Sequence, residues 1–317
     1  MQTRDVLISE IDKDNPDYRL FVSGPDPSLE SSISKLGVIN PVKLLRKDSG
    51  YLVITGWKRL EALEKLNIKK VNSQVFNEEE LSSLQLFTYI YTDNKDRFTE
   101  LEKAELVSKL IKSNTLTDEE IINDFLPVLS LNPTLNNLNK QRSVALMEQH
   151  LKEACFNGYI TFEQIQLLSE IDDPDFRSGF YNHFLKKFKF NNNEMRDILK
   201  DVQAICIRKN IEINQLAGMV FNDTNETADK NSIRKTIKTL CYPRLTETEK
   251  KYNELVKELK LGNCSRLINH PYFESNDLEL RIKFKESKAL LNEIELLKET
   301  VHNGKIEELL NLIKEGK

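Results

Sequence analysis

Gly56, Lys58 and Arg59, in the segment VITGWKRL, are of the types that hold a phosphate. An apolar run, Tyr51-Leu52-Val53-Ile54, leads into Thr55-Gly56, and a helical pattern follows with Leu60, Ala62, Leu63 and Leu66 along one face. A strand that passes through glycine into a helix leaves the first helical amides unpaired, where an anion is favoured. Glycine lets a ligand approach the backbone, and Lys58 and Arg59 add positive charge. A plain strand-to-helix turn with a solvated basic pair would use the same residues, so the flanking elements must decide.

Those elements form a recognisable order. Leu29, Ile33 and Leu36 mark a helix over 29–36, with Ser28 placed to cap it. Gly37-Val38-Ile39-Asn40-Pro41 follows. Val42–Leu45 and Tyr51–Ile54 read as two strands joined at Asp48-Ser49-Gly50, a hairpin signal. A helix over 60–67, a strand over 71–76 and a helix over 78–91 come next, while RDVLISEI at 4–11 reads as a first strand. The segment Asp93-Asn94-Lys95-Asp96-Arg97 then leads to Glu102-Lys103-Ala104.

Taken together these boxes resemble the N-terminal domain of the ParB family, within the ParB/sulfiredoxin superfamily. The likeness covers residues 1–150 and is loose beyond. It implies CTP in the pocket, Mg²⁺ on the phosphates, and homodimers that bind or clamp DNA. Carried onto this chain, Gly37, Asn40 and Pro41 would meet the base and sugar. Gly56, Lys58 and Arg59 would take the phosphates, with Arg97 beside them. Asn94 would serve the metal, and Asp93 would support hydrolysis. Oxygen ligands of that kind suit Mg²⁺ bound mainly through phosphates and waters. Arg19 is a further counterpart of a nucleotide-facing arginine. Asp93 stands where the family has Glu, and Trp57 where partition ParBs carry an acidic residue; a tryptophan there would stack on a ring or cover the pocket.

Leu101, Ala104, Leu106, Val107, Leu110 and Ile111 give an amphipathic helix over 99–114. Thr117 and Glu120 form a capping box for the next helix, which Pro127 and Pro133 terminate. A helix over 135–153 follows, and its Asn137, Lys140, Gln141 and Arg142 are of the types that contact bases and phosphates, or simply line a helix surface. Thr161 is placed to cap a helix over 162–170. Residues 172–242 read as all helical. Beyond Pro243 there is a helix to about Leu261, an alternating strand over 278–284, and helices over 290–301 and 306–313.

The expected fold is therefore α+β. A nucleotide-binding domain spans 1–91, a helix-turn-helix-like domain of degenerate pattern 92–171, and a helical extension 172–242. A small α/β module, suited to self-association, spans 243–317. The 317 residues carry a formal net charge of −4, so a DNA-binding surface must be a local patch. Four scattered cysteines lack the spacing of a zinc site and fit reduced thiols in a cytoplasmic protein. No apolar run reaches membrane-spanning length. The ParB resemblance implies a CTP-gated DNA-binding protein of plasmid or chromosome partition or related DNA regulation. An enzyme on the same scaffold, nuclease or NTPase/kinase, is an alternative. Trp57 and Lys58 occupy the places of the sulfiredoxin Cys-His pair, and no histidine precedes His150, so neither sulfiredoxin nor serine-kinase chemistry has its residues. A regulatory protein that kept the fold and lost the nucleotide is the third reading.

Overall fold

The hairpin expected around Asp48-Ser49-Gly50 organises the N-terminal part of the chain. β3 (Val42–Lys47) and β4 (Gly50–Thr55) pair antiparallel, with Lys47 opposite Gly50. Their side chains alternate between faces. Leu44 and Val53 enter one apolar cluster, and Leu45, Leu52 and Ile54 the other. β5 (Lys70–Phe76) runs parallel to β3. The expected single strand at 4–11 is instead two. β1 (Gln2–Leu7) lies antiparallel to β5 at one edge, a 3-10 turn covers Ile8–Glu10, and β2 (Ile11–Asp12) joins β4 at the other edge. Val6, Ile8 and Ile11 all enter the same cluster, which draws the chain across the sheet. The five-stranded order is β1-β5-β3-β4-β2.

The computed structural model describes residues 2–15, 17–20, 27–93, 95, 98–222, 229–262, 264–270, 273, 275 and 277–315. It divides into two compact units, Met1–Lys186 and Lys187–Lys317.

In the first unit, α1 (Pro27–Leu36) and α2 (Trp57–Lys65) cover one sheet face through Ile33, Leu60, Ala62 and Leu63. α1 opens at Pro27, a residue pre-set for a first helical turn, so Ser28 lies inside the helix rather than capping it. The other face carries α3 (Ser83–Asp93) and α4 (Glu100–Lys112). That cluster runs without a break from Leu45, Ile54 and Phe76, through Phe87 and Ile90, to Leu106, Leu110, Phe125, Leu129 and Leu138.

The expected capping box is present: Thr117 accepts from the Glu120 amide, and Glu120 reaches back to the Thr117 amide. α5 (Asp118–Glu120) continues as a π-helical turn, Ile121–Phe125, before the proline-bounded connection. α6 (Leu135–Ala145) starts on Thr134, whose hydroxyl accepts from the Asn137 amide. The single helix expected over 135–153 is broken. Met147 is buried, Glu148 pairs with Arg177, and α7 (Gln149–Phe156) starts afresh. α8 (Phe162–Ser169) is capped by Thr161 as expected, and α9 (Pro174–Phe180) follows.

The second unit comprises α10 (Asn192–Lys209), α11 (Ile213–Asn222), α12 (Lys230–Cys241) and α13 (Pro243–Glu258), then β6 (Ser265–Asn269) and β7 (Leu278–Ile282), and finally α14 (Ser287–His302) and α15 (Lys305–Glu315). The alternating strand found its partner in β6, antiparallel, which the sequence reading missed. Tyr252, Leu259, Phe273, Leu309 and Ile313 form a core here. Among the described residues no helix is long and apolar enough to cross a membrane.

Candidate functional site

The site is built where β4 passes into α2. Gly56 is the N-cap of α2 at φ 105°, a left-handed conformation open to glycine, and no side chain caps the helix. A Cβ there would also meet the Val42 side chain at 3.1 Å. The first intrahelical bond runs from the Leu60 amide to the Gly56 carbonyl, so the amides of residues 57–59 precede the ladder. The helix begins three residues before the expected 60–67, which places Lys58 and Arg59 in its first turn.

Arg59 is turned across the corner. Its guanidinium donates to the Asn40 carbonyl at 2.5 Å, to the Pro41 carbonyl at 2.9 Å, and to Asp93 Oδ2 at 3.4 Å. The Asn40-Pro41 segment is thereby clipped to the start of α2. The bonded atoms of Asn40 and Pro41 are their backbone carbonyls. Gly37 lies apart from this corner in its role. At φ 72° it ends α1, its amide donating to the Ile33 carbonyl.

Asp93 is the centre of the cluster. It accepts from Lys43 Nζ at 2.5 Å and from Thr55 Oγ1 at 2.5 Å, besides Arg59. Burial would raise its pKa. The hydrogen bonds from Lys43 and Thr55 and the charges of Lys43 and Arg59 outweigh that, and the carboxyl is held below its ordinary value. Burial lowers the Arg59 pKa against the opposing pull of Asp93, and a guanidinium stays protonated throughout. The cluster of two cations and one carboxylate is thus net positive beside an uncapped helix start. Lys43 and Thr55 escaped the sequence reading. They lie beside the boxes, two residues after Pro41 and one before Gly56, but nothing local in the sequence joins them to Asp93.

Trp57 packs on the α1/α2 core, and its indole N–H is buried with no acceptor among the described residues. Arg19 stacks over its ring at 5.2 Å and pairs with Glu61 at 3.1 Å. Asn94 and Arg97 lie outside the described residues. Asp93 is engaged by three donors, and no group of three His, Cys, Asp or Glu side chains that could hold a metal converges among the described residues.

The residues expected to contact DNA are on α6, but they do not share one face. Gln141 is 2% exposed and donates to Asn137 Oδ1, so it points into the protein. Asn137 in turn donates to the Asn132 carbonyl. Arg142 pairs with Asp118 at 2.9 Å. Lys140 is exposed, together with Asn136 and Asn139.

No protein-family model matches the chain, and no curated protein matches it. Solved structures do, ParB proteins among them. The C-terminally truncated ParB of Caulobacter crescentus complexed with CTP-γ-S is 19% identical, with 55% of this chain and 95% of that one covered at a TM-score of 0.27. The same protein complexed to the centromeric parS site is 16% identical, with 62% and 98% covered at 0.36. A Pnob8-like ParB-N domain is 17% identical, with 63% and 96% covered at 0.41. At these identities and TM-scores the likeness assigns no ligand to this chain.

Proposed function

We propose that the first unit binds the phosphates of a nucleotide at the start of α2, and that the chain is a DNA-binding protein of the ParB kind. The observation that carries this reading is the convergence of Lys43 and Arg59 on Asp93, which also accepts from Thr55, the residue before the uncapped N-terminus of α2. Arriving phosphates compete with Asp93 for those cations, and the α2 amides then complete their cradle. The ParB resemblance makes CTP the nucleotide to test first, with Mg²⁺ carried in on its phosphates. Plasmid or chromosome partition, or related DNA regulation, is the corresponding cellular role. DNA would be met by the exposed side of α6, through Lys140, Asn136 and Asn139 in place of the buried Gln141.

The test is a thermal-shift and calorimetry panel of the four nucleoside triphosphates with Mg²⁺, on the wild type, Arg59→Ala and Lys43→Ala. One triphosphate should stabilise the wild type and lose at least about tenfold in affinity, roughly 1.4 kcal/mol, in each variant. Equal and negligible shifts with all four nucleotides would end the nucleotide reading.

A second reading has its own observation. Arg59 already has three acceptors and Asp93 three donors, so the cluster also serves as a structural staple joining the 40–41 segment, β3, β4 and α3. In a regulatory protein that had lost the nucleotide, Arg59→Ala would lower Tm without altering any ligand response. DNA affinity that falls steeply with salt would keep the DNA half of the proposal alive in that case.

A further inference from the structure

On the other face of the sheet from α2 lies a cavity of about 580 Å³, within the range of small-molecule sites. One wall is apolar, made of Leu45, Leu81, Leu86 and Phe87. Lys109 and Lys112, from the last turn of α4, and its C-cap Ser113 also line the space, at positions i, i+3 and i+4. Tyr18 closes one side, edge-on to Phe87 with ring centroids 5.9 Å apart.

Two carboxylates also border the cavity, Asp17 and Glu78. Glu78 is paired with Lys47. Asp17 is exposed, and its charge acts on both Tyr18 and Lys109. Lys109 also feels Glu105, which is itself paired with Lys152. Lys112 has no ion-pair partner among the described residues and faces the cavity with Lys109 beside it. Burial lowers the Lys109 pKa, with Glu105 opposing and Lys112 reinforcing the shift. Two neighbouring ammonium groups on one helical turn repel each other, and a shared anion relieves that repulsion.

We propose that this cavity binds a small amphipathic anion, with a carboxylate or phosphate head between Lys109 and Lys112 and an apolar body against Leu45, Leu81, Leu86 and Phe87. The site is separate from the α2 corner. Its apolar wall belongs to the cluster on the α3/α4 face, whereas α2 packs into the opposite cluster. Its occupancy therefore stands or falls apart from the nucleotide reading. Because α4 packs against α6, a ligand seated here touches the support of the helix proposed to meet DNA.

The experiment is isothermal titration of the full chain with octanoate, octyl phosphate, octanol, acetate and inorganic phosphate, on the wild type, Lys112→Glu and Ser83→Phe. Ser83 borders the cavity, so the phenyl ring fills it. Lys112 is exposed, so its charge reversal leaves the core intact. Octanoate or octyl phosphate should bind at one site, and the tighter of the two identifies the head group. Octanol, acetate and inorganic phosphate should each bind at least about tenfold more weakly. Lys112→Glu should weaken the amphipathic anion about tenfold, and Ser83→Phe should remove the heat of binding. Octanol as tight as octanoate, inorganic phosphate as tight as octyl phosphate, no binding of either amphiphile, or unchanged affinity in Lys112→Glu would each overturn the proposal.

Discussion

Asp93 sits at the last turn of α3, where a negative charge opposes the helix dipole, and it is held there by Lys43, Thr55 and Arg59. Its lowered pKa makes a statement about stability. A carboxyl whose folded pKa lies below the unfolded value stabilises the fold above about pH 4, and the contribution fades as pH falls through the folded value. Asp93→Asn should therefore cost about 2 kcal/mol at pH 7, since it removes hydrogen bonds to a charged group. The gap to the wild type should close on acidification, in urea melts followed from pH 7 to about pH 3. A gap independent of pH would assign the loss to packing instead. The junction at Gly56 was legible in the sequence because a strand, a glycine and a helix follow one another along the chain. Lys43 and Thr55 were not, because they meet Asp93 across sequence separations of 50 and 38 residues.

Among the elements, α6 shows where residue type alone misleads. Asn, Gln and Arg on a helix fit both base reading and ordinary surface, and only packing separates the two. Gln141 Oε1 is buried with no donor among the described residues. Gln141→Met should thus keep stability within about 1 kcal/mol or raise it, and leave DNA affinity unchanged, whereas Lys140→Ala should weaken binding and flatten its salt dependence. A gel-shift series across salt concentrations checks both. α14 presents the converse case. It turns Glu293 and Thr300 inward and leaves Ile294 38% and Val301 58% exposed. Glu293 accepts from the Gly262 amide at 3.0 Å and from the Ser265 hydroxyl, which explains its inward place. Leu290, Ile294, Leu297 and Val301 are spaced four, three and four apart, with β-branched residues alternating with leucine. That spacing covers less than two heptads, and with Ile294 and Val301 exposed it gives the homodimer implied by the ParB resemblance a face to test. Ile294→Lys with Val301→Lys should shift sedimentation from dimer to monomer while helicity is kept. β6 was missed because Ser265–Asn269 lacks the alternation that exposed β7.

For the whole molecule, the order from α1 to α4 was readable from apolar periodicity, because each element buries one face, while the break at residues 8–10 and the one between α6 and α7 were not. How far a core extends was not readable, since periodicity says that a face is buried and not against what. The expected boundary between residues 91 and 92 falls inside a continuous cluster that joins the sheet to α3, α4 and α6. The two units meet the chain at Lys186 and Lys187. With a net charge of −4, the molecule has no general attraction for nucleic acid, so any affinity must come from a local patch and vanish as salt screens it.

That continuous cluster has a practical corollary for anyone shortening the protein. A fragment ending at residue 91 would leave Leu86, Phe87 and Ile90 without the α4 and α6 side chains that cover them, and should be recovered as aggregate. A fragment ending at Lys186 keeps the cover and should elute as a folded species on gel filtration. Insolubility of the longer piece, with the shorter one monodisperse, would show that sheet and helices are separable after all.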